Sequence, residues 1–206
     1  MTRSNSFSTG SFFQALTVLA MLVGGTATAL ADAREFKIDE DHFSIMFRVD
    51  HVGFADQIGL FLTASGSFVY DEAANELHSG EVAVDASSVF TNHERRDDHV
   101  RNRDFLHARR HDTIRFEADG WYPSEEDPRS GRLTGELTLL GETRPVELAA
   151  TINKMDDFPF GHEKYTMGVS ASTTILRSEW GMTYGVEDGM VGDEVHLAFE
   201  FEALAQ

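Results

Sequence analysis

The chain has 206 residues, no cysteine, and 35 acidic against 17 basic side chains, which gives a formal net charge of −18 at pH 7. This charge argues against nucleic acid and against anionic membrane surfaces as binding partners, because both repel an acidic protein. The lack of cysteine excludes disulfide bonds, a cysteine nucleophile and a lipoprotein anchor carried by cysteine.

The first 31 residues have the features of a secretory signal peptide. Arg3 gives a positive start, residues 12–23 form an apolar run, and Ala29-Leu30-Ala31 offers a small-x-small cleavage site, although Ala27 leaves an earlier cut open. The apolar run is shorter than the roughly 20 residues that a membrane span needs. We therefore expect residues 32–206 to form one exported, periplasmic domain without stable membrane insertion, carrying 16 basic and 35 acidic residues and a net charge of −19.

Alternating apolar and polar residues predict about eight strands in this domain. In the first half, the strands fall near residues 32–39, 44–52, 64–70 and 77–86. Residues 53–62 contain glycine and mixed side chains, which predicts a bend or a short helical turn. His51 continues the apolar face of its strand, and it is either a core or rim group or a ligand-binding group.

The stretch Thr91 to Phe105 differs from the rest, because it is dense in arginines, carboxylates and histidines. Glu94 follows Thr91 by three residues, which fits a capping box and predicts a helix. Two interpretations stay open. The helix is either a solvated element between strands or a polar lid over a pocket, with its arginines and His99 directed at a ligand.

The second half of the chain returns to alternation. Strands are predicted near residues 113–122, 132–140, 145–152, 166–176 and 193–204, with a tight hairpin turn at 141–143. Residues 154–164 and 177–192 are long loops. Apolar-in, polar-out strands with one inserted short helix predict an all-β fold, an eight-stranded antiparallel barrel, with a sandwich as the alternative.

Small residues on the inward phase predict a cavity inside this barrel, because an eight-stranded barrel is just wide enough to hold one small ligand. The small positions are Gly66, Ala118, Gly135, Ala150 and Ala171.

Sequence templates for catalysis and metal binding are missing. There is no Gly-x-Ser-x-Gly elbow, phosphate loop or His-Glu-x-x-His helix. His107 and His111 have i,i+4 spacing, but Arg109 and Arg110 lie between them, where a metal would repel both. We expect no catalytic residue, no metal and no cofactor.

Four groups of residues occur in a characteristic order along the domain. They are Phe36-x-Ile38-Asp39 with Ser44 to His51, Gly53 and Gly59-x-Phe61; Thr91-Asn92 with Arg96-Asp97-x-His99 and Asp104-Phe105-Leu106; Leu137-Thr138-Leu139-x-Gly141-x-Thr143-Arg144-Pro145-Val146; and Arg177-x-x-x-Gly181-Met182 with Val191-Gly192-Asp193-Glu194-Val195. With these residues the sequence resembles the YceI-like family of exported bacterial proteins. Asp112 departs from the pattern, since the family usually carries a proline there.

The resemblance implies a lipocalin-like barrel that binds a polyisoprenoid lipid, such as a polyprenyl chain or an isoprenoid quinone. The protein would then be a non-enzymatic carrier or storage protein. Apolar burial at about 0.8 kcal/mol per CH₂ would hold about two or three isoprene units without a charged contact. The residues expected to contact the chain are Phe47, Val49, His51, Phe68, Ile114, Phe116, Leu137, Leu139, Val169, Trp180, Leu197 and Phe199.

Arg96, His99 and Arg101 are the candidates for contact with a ligand head group, because an arginine fork suits a pyrophosphate. For Arg96 the favoured alternative is an internal pair with Asp97 that pins the helix to the barrel rim. Two other functions stay open: an enzyme acting on a small amphipathic substrate, with His51 as its titratable group, and a stress-related interaction protein with a filled barrel. A homodimer also stays open.

Overall fold

The structure of the chain, a computed structural model, describes residues 1–2 and 33–206. Apart from its first two residues, the predicted signal peptide lies outside the described residues, so its cleavage stays a prediction. In the described part of the chain, no helix is both long enough and apolar enough to cross a membrane.

Residues 33–206 form a sheet with one short α-helix, α1, at Glu94–Arg101. Two short 3₁₀ turns lie at Ala86–Ser88 and Arg177–Trp180. The strands are β1 (Ala33–His51), β2 (Ala55–Phe61), β3 (Ala64–Asp71), β4 (Glu76–Asp85), β5 (Val89–Phe90), β6 (Thr113–Pro123), β7 (Ser130–Leu139), β8 (Glu142–Asp157), β9 (Tyr165–Leu176) and β10 (Val191–Ala205).

Eight of the strands close into an antiparallel barrel. Their order is β10-β9-β8-β7-β6-β4-β3-β1, and β1 pairs with β10 to complete the circle. Alternation along each strand directs every second side chain inward, as in Val195, Leu197 and Phe199 of β10. The predicted eight-stranded antiparallel barrel with one inserted short helix is confirmed.

Strand β1 is long enough to serve three neighbours. It pairs with β10 along one edge, while on the other edge residues 33–37 pair with β3 and residues 45–51 pair with β2. The prediction of a bend or helical turn over residues 53–62 was wrong, because most of this segment is β2. Its alternation is hidden by Gly59, which stands at an inward position without a side chain.

Gly59 makes room for the ring of Phe47, its partner across the β1–β2 ladder, and a Cβ atom on Gly59 would overlap that ring. We expect Gly59→Ala to lower the free energy of unfolding by about 1–3 kcal/mol, measured by urea denaturation, because the ring would have to leave its position. Gly168→Ala is the matched control: the nearest atom to its new Cβ lies 3.9 Å away. Equal effects of the two substitutions would contradict the prediction.

The two ends of the barrel differ. At the far end, Asn75 in the turn after β3 accepts from Trp121 Nε1 and Tyr70 Oη, at 2.8 and 2.6 Å, and donates to the carbonyl of Pro128 after β6 at 2.9 Å. Tyr165 Oη at the start of β9 donates to Glu72 in the same turn at 2.7 Å. A buried cluster that includes Phe36, Tyr70 and Met167 fills this end. The opposite end, which we call the mouth, carries the β1–β2 turn, α1 with its loops, the β7–β8 turn and the loop after Arg177–Trp180.

Helix α1 begins differently from the prediction. His93 is the N-cap residue and makes no side-chain cap, so the capping box of Thr91 and Glu94 does not form. Instead, the N–H and Oγ1 of Thr91 both donate to the buried Asp97, and Arg96 donates to Oγ1 and the carbonyl of Thr91. Arg96 and Asp97 therefore tie the helix to the end of β5 through their shared partner, Thr91.

Candidate functional site

An apolar cavity of about 280 Å³ lies inside the barrel. At roughly 10–15 Å³ for one water, it has room for roughly twenty atoms of that size. All eight barrel strands and β2 contribute to its wall, which runs from the far-end residues Tyr70 and Met167 to the mouth. The cavity is therefore elongated along the barrel and suits a chain-like apolar molecule.

Ten of the twelve residues predicted to contact a ligand lie on this wall. Contact with a ligand stays a prediction for all of them. They are Phe47, Val49, Phe68, Ile114, Phe116, Leu137, Leu139, Val169, Leu197 and Phe199.

The structure places His51 and Trp180 off the wall. His51 is the last residue of β1, next to the β1–β2 turn at the mouth, and it is exposed to solvent. Trp180 is buried in the core behind the wall, where its Nε1 donates to the carbonyl of Leu137 at 3.0 Å. An indole N–H needs such a partner when buried, which fixes the ring away from the cavity.

The space in the cavity comes from alanines. Ala118, Ala150 and Ala171 lie on the wall. The space beside the two inward glycines is taken by neighbours: a Cβ on Gly135 would be 2.7 Å from the ring of Phe116, and one on Gly66 would be 2.9 Å from Ile38 Cδ1. The prediction that small residues leave room therefore holds for the alanines and fails for Gly66 and Gly135.

The mouth is covered by apolar side chains from two loops. Val100, Phe105 and Leu106 reach the cavity from α1 and the residues after it, Met182 reaches it from the loop after β9, and Val191 reaches it from the start of β10. The lid interpretation of the charged helix was right in position, but the residues that face the cavity are apolar. Val100 and Phe105 were the signal, as apolar residues in an otherwise charged stretch.

Arg177 is a buried cation at the mouth that the sequence-based list of site residues missed. Its side chain is 2% exposed and lies on the cavity wall. Its guanidinium donates to the carbonyls of Gly192, Met182, Tyr184 and Val191 at 2.7–2.9 Å. Burial lowers the pKa of Arg177, and the nearby Asp193 charge opposes that change. The loop that covers the mouth is thus folded around Arg177.

The predicted head-group residues do not face the cavity together. Arg101 donates from Nε to the carbonyl of Ser87 at 2.8 Å and from Nη2 to that of Val89 at 3.1 Å, so it holds α1 to the barrel, as Arg96 does through Thr91. His99 lies 3.2 Å from Asp104 and packs edge-on against Phe105 and Tyr184. A head-group role for His99, next to the mouth cover, stays a prediction.

A polar cluster lies on the outside of the barrel, where Asp39, His42 and Glu202 bring their side-chain donor atoms within 4.8 Å of one another. Among residues 33–206, these three side chains are the group whose donor atoms lie close enough together to share a metal ion. His42 Nδ1 is 2.8 Å from Asp39 and 3.8 Å from Glu202, which is the geometry of an ion pair around a protonated imidazole. The predicted absence of a metal stays a prediction.

This ion pair predicts a pH dependence. The hydrogen bond to Asp39 raises the pKa of His42 above 6.5, and the bond from His42 lowers the pKa of Asp39 below 3.8. Stabilisation through Asp39 is therefore lost as pH falls through its folded-state pKa, and stabilisation through His42 is lost as pH rises through its own. We expect NMR titration to place the His42 imidazole above pH 6.5 and Asp39→Asn to lower that midpoint, with exposed His78 as the control. An unchanged midpoint in the variant would contradict the pairing.

Comparison with known proteins identifies the family. Residues 36–203 match the YceI-like domain. The chain belongs to the YceI-like family. The UPF0312 protein of Pseudomonas aeruginosa strain LESB58 is 33% identical over 193 residues, covering 91% of this chain and 97% of that protein.

Two solved structures resemble this YceI-like barrel. The Campylobacter jejuni YCEI protein has a TM-score of 0.68 and 25% identity, covering 76% of this chain and 90% of that one. A polyisoprenoid binding domain from Saccharophagus degradans has a TM-score of 0.63 and 12% identity, covering 83% of this chain and 98% of that one, and this likeness shows the fold alone.

The residues of the last YceI-like motif have identifiable structural roles in this chain. In the last motif, Arg177 holds the mouth loop, Gly181 ends the 3₁₀ turn with φ of +79°, and Asp193 accepts from the N–H and Oγ of Ser178. These residues build the mouth of the cavity.

Proposed function

We propose that this YceI-like protein is a non-enzymatic binding protein that holds a long apolar isoprenoid-type lipid, a polyprenyl chain or an isoprenoid quinone, inside its barrel. The observation that carries the proposal is the elongated apolar cavity of about 280 Å³. The Saccharophagus degradans domain with a similar fold is described as polyisoprenoid binding, which supports this class of ligand.

The size of the cavity sets the length of chain that it takes. Room for roughly twenty atoms corresponds to about four isoprene units of five carbons each. Each buried carbon contributes about 0.8 kcal/mol, part of which is offset by the lost freedom of the ligand. Affinity should therefore increase with chain length up to about four units and then level off, with little contribution from the head group.

Two observations favour binding over the alternatives. An enzyme with His51 inside the cavity is disfavoured because His51 is exposed to solvent at the end of β1. An interaction protein with a filled barrel is disfavoured by the cavity itself. Export by a signal peptide at residues 1–31 would give the protein a carrier or storage role in the periplasm.

The proposal is tested by mass spectrometry of an organic extract from protein purified natively out of its own host. A stoichiometric polyprenyl or quinone species would support it. Purified protein should also bind a series of polyprenols of increasing length, followed by the fluorescence of Trp121, which lies on the cavity wall. An extract without lipid, together with no response to any polyprenol, would overturn the proposal.

A further inference from the structure

The turn between β1 and β2 holds apolar side chains in water. Phe54 is 91% exposed and Val52 is 47% exposed. Val52 and Gly53 have φ of +57° and +72°, and the N–H of Phe54 donates to the carbonyl of His51, which closes a tight β-turn with two central residues at positive φ. Such turns prefer Asn, Asp and Gly, and a β-branched residue at positive φ is strained. The chain therefore has apolar groups at this tip against the local conformational preference.

The tip lies at the mouth of the cavity. The N–H of Val52 donates to the carbonyl of Met190 at 3.2 Å, and Met190, 41% exposed, precedes the wall residue Val191. On the other side, Val49 on the wall comes three residues before Val52. We call Val52, Phe54 and Met190 the mouth patch. It is continuous with the loop that Arg177 holds over the cavity.

The charges around the mouth patch restrict what it can bind. On the two chain segments that carry the patch, Asp50, Glu187 and Asp188 are exposed, and Arg48 on β1 is paired with Asp56 at 2.8 Å. The exposed arginines of the mouth belong to α1, the loop after it and the start of β8. An anionic surface would be repelled, whereas a surface without net charge would not.

The shape of the mouth patch favours a fluid surface over a protein partner. A side chain that is 91% exposed projects from the protein and needs a complementary pocket in a rigid partner. A stable protein interface also buries about 800 Å² on each side, far more than three side chains supply. Aromatic and aliphatic side chains enter the boundary between lipid head groups and acyl chains without a preformed pocket.

We propose that the mouth patch docks reversibly on a lipid bilayer of low net charge, so that the apolar ligand passes between the membrane and the cavity without crossing water. This inference rests on the proposed function for the identity of its cargo. Because the patch is small, docking is weak and does not anchor the protein stably.

The test uses vesicle flotation and ligand transfer. Wild-type protein should float with phosphatidylcholine vesicles and take up an isoprenoid quinone embedded in them, and added phosphatidylglycerol should reduce both. Phe54→Ser and Val52→Asn should each lower the transfer rate at least tenfold. Val52→Asn suits the turn, so its effect cannot come from misfolding. Phe160→Ser is the matched control, because Phe160 is 67% exposed in the turn after β8 at the far end and should transfer like wild type.

The outcomes separate this inference from the proposed function. Uptake of the quinone from detergent micelles, without flotation and without uptake from vesicles, would overturn docking and leave the binding function standing. A loss of transfer in Phe160→Ser equal to that in Phe54→Ser would also overturn docking by the mouth patch. No uptake from either source would overturn the proposed function. Docking would then be decided by flotation of the ligand-free protein with phosphatidylcholine vesicles: flotation would support it, and its absence would overturn it.

Discussion

Replacement of Arg177 by methionine is expected to lower the free energy of unfolding by about 3–5 kcal/mol, the largest loss from any single substitution considered for this barrel. The guanidinium satisfies four backbone carbonyls of the mouth loop in a site that is almost closed to water. Methionine fills a similar volume but donates no hydrogen bond, so those carbonyls would be left without donors. Urea denaturation followed by circular dichroism measures the effect.

Two further variants make the test specific to this geometry. Arg177→Lys should recover little stability, because an ammonium group cannot reproduce the planar fork of donors. Arg132→Met removes an exposed ion pair with Glu147 at 3.0 Å and should change the free energy of unfolding by about 1 kcal/mol or less. If Arg177→Met were as stable as Arg132→Met, water would be satisfying the loop carbonyls and the described role of Arg177 would be wrong.

Ala150→Phe is expected to weaken binding of a polyprenol roughly 200- to 1,000-fold while the barrel stays folded. Ala150 and its cross-strand partner Ala171 both lie on the cavity wall, so a phenyl ring there enters open space. The ring would displace about four or five ligand carbons, which is about 3–4 kcal/mol at about 0.8 kcal/mol each. Titration with a polyprenol of four isoprene units, followed by calorimetry, gives the change in affinity.

The neighbouring residue supplies the control for this substitution. Ala149 is exposed on the outer face of β8, directly before Ala150. Ala149→Phe adds the same ring to the same strand outside the cavity and should leave affinity unchanged. Equal affinities of the Ala149→Phe and Ala150→Phe proteins would show that the ligand lies elsewhere and would contradict the cavity as the binding site.

The barrel could be predicted from the sequence because its determinants are local and periodic. From Val195 to Glu202, the inward apolar residues of β10 alternate with residues that are mostly polar, and similar alternation occurs in most strands, so the faces of the sheet can be assigned without tertiary information. Strand β2 escaped this rule since Gly59 removes an inward side chain, and only the position of the Phe47 ring explains that glycine.

The site was predictable along its walls and not at its mouth. His51 is exposed because β1 ends there, and where a strand ends relative to the cavity depends on its partner strands rather than on the residue itself. Arg96, Arg101 and Arg177 are alike in sequence as cations in loops or short helices. Which backbone carbonyls each of them reaches depends on other chain segments, such as Ser87 for Arg101 and Gly192 for Arg177.

The pairing of β1 with β10 has a consequence for the order of folding. Phe36 pairs with Ala205, so nearly the whole described chain separates the two strands that close the barrel. Contacts between such distant segments form slowly, because the entropy of closing a long loop opposes them. During synthesis β1 keeps one unpaired edge until β10 has been made. The enclosed cavity therefore exists only after the final strand has joined, and an apolar chain present at that moment could be trapped as the barrel closes around it.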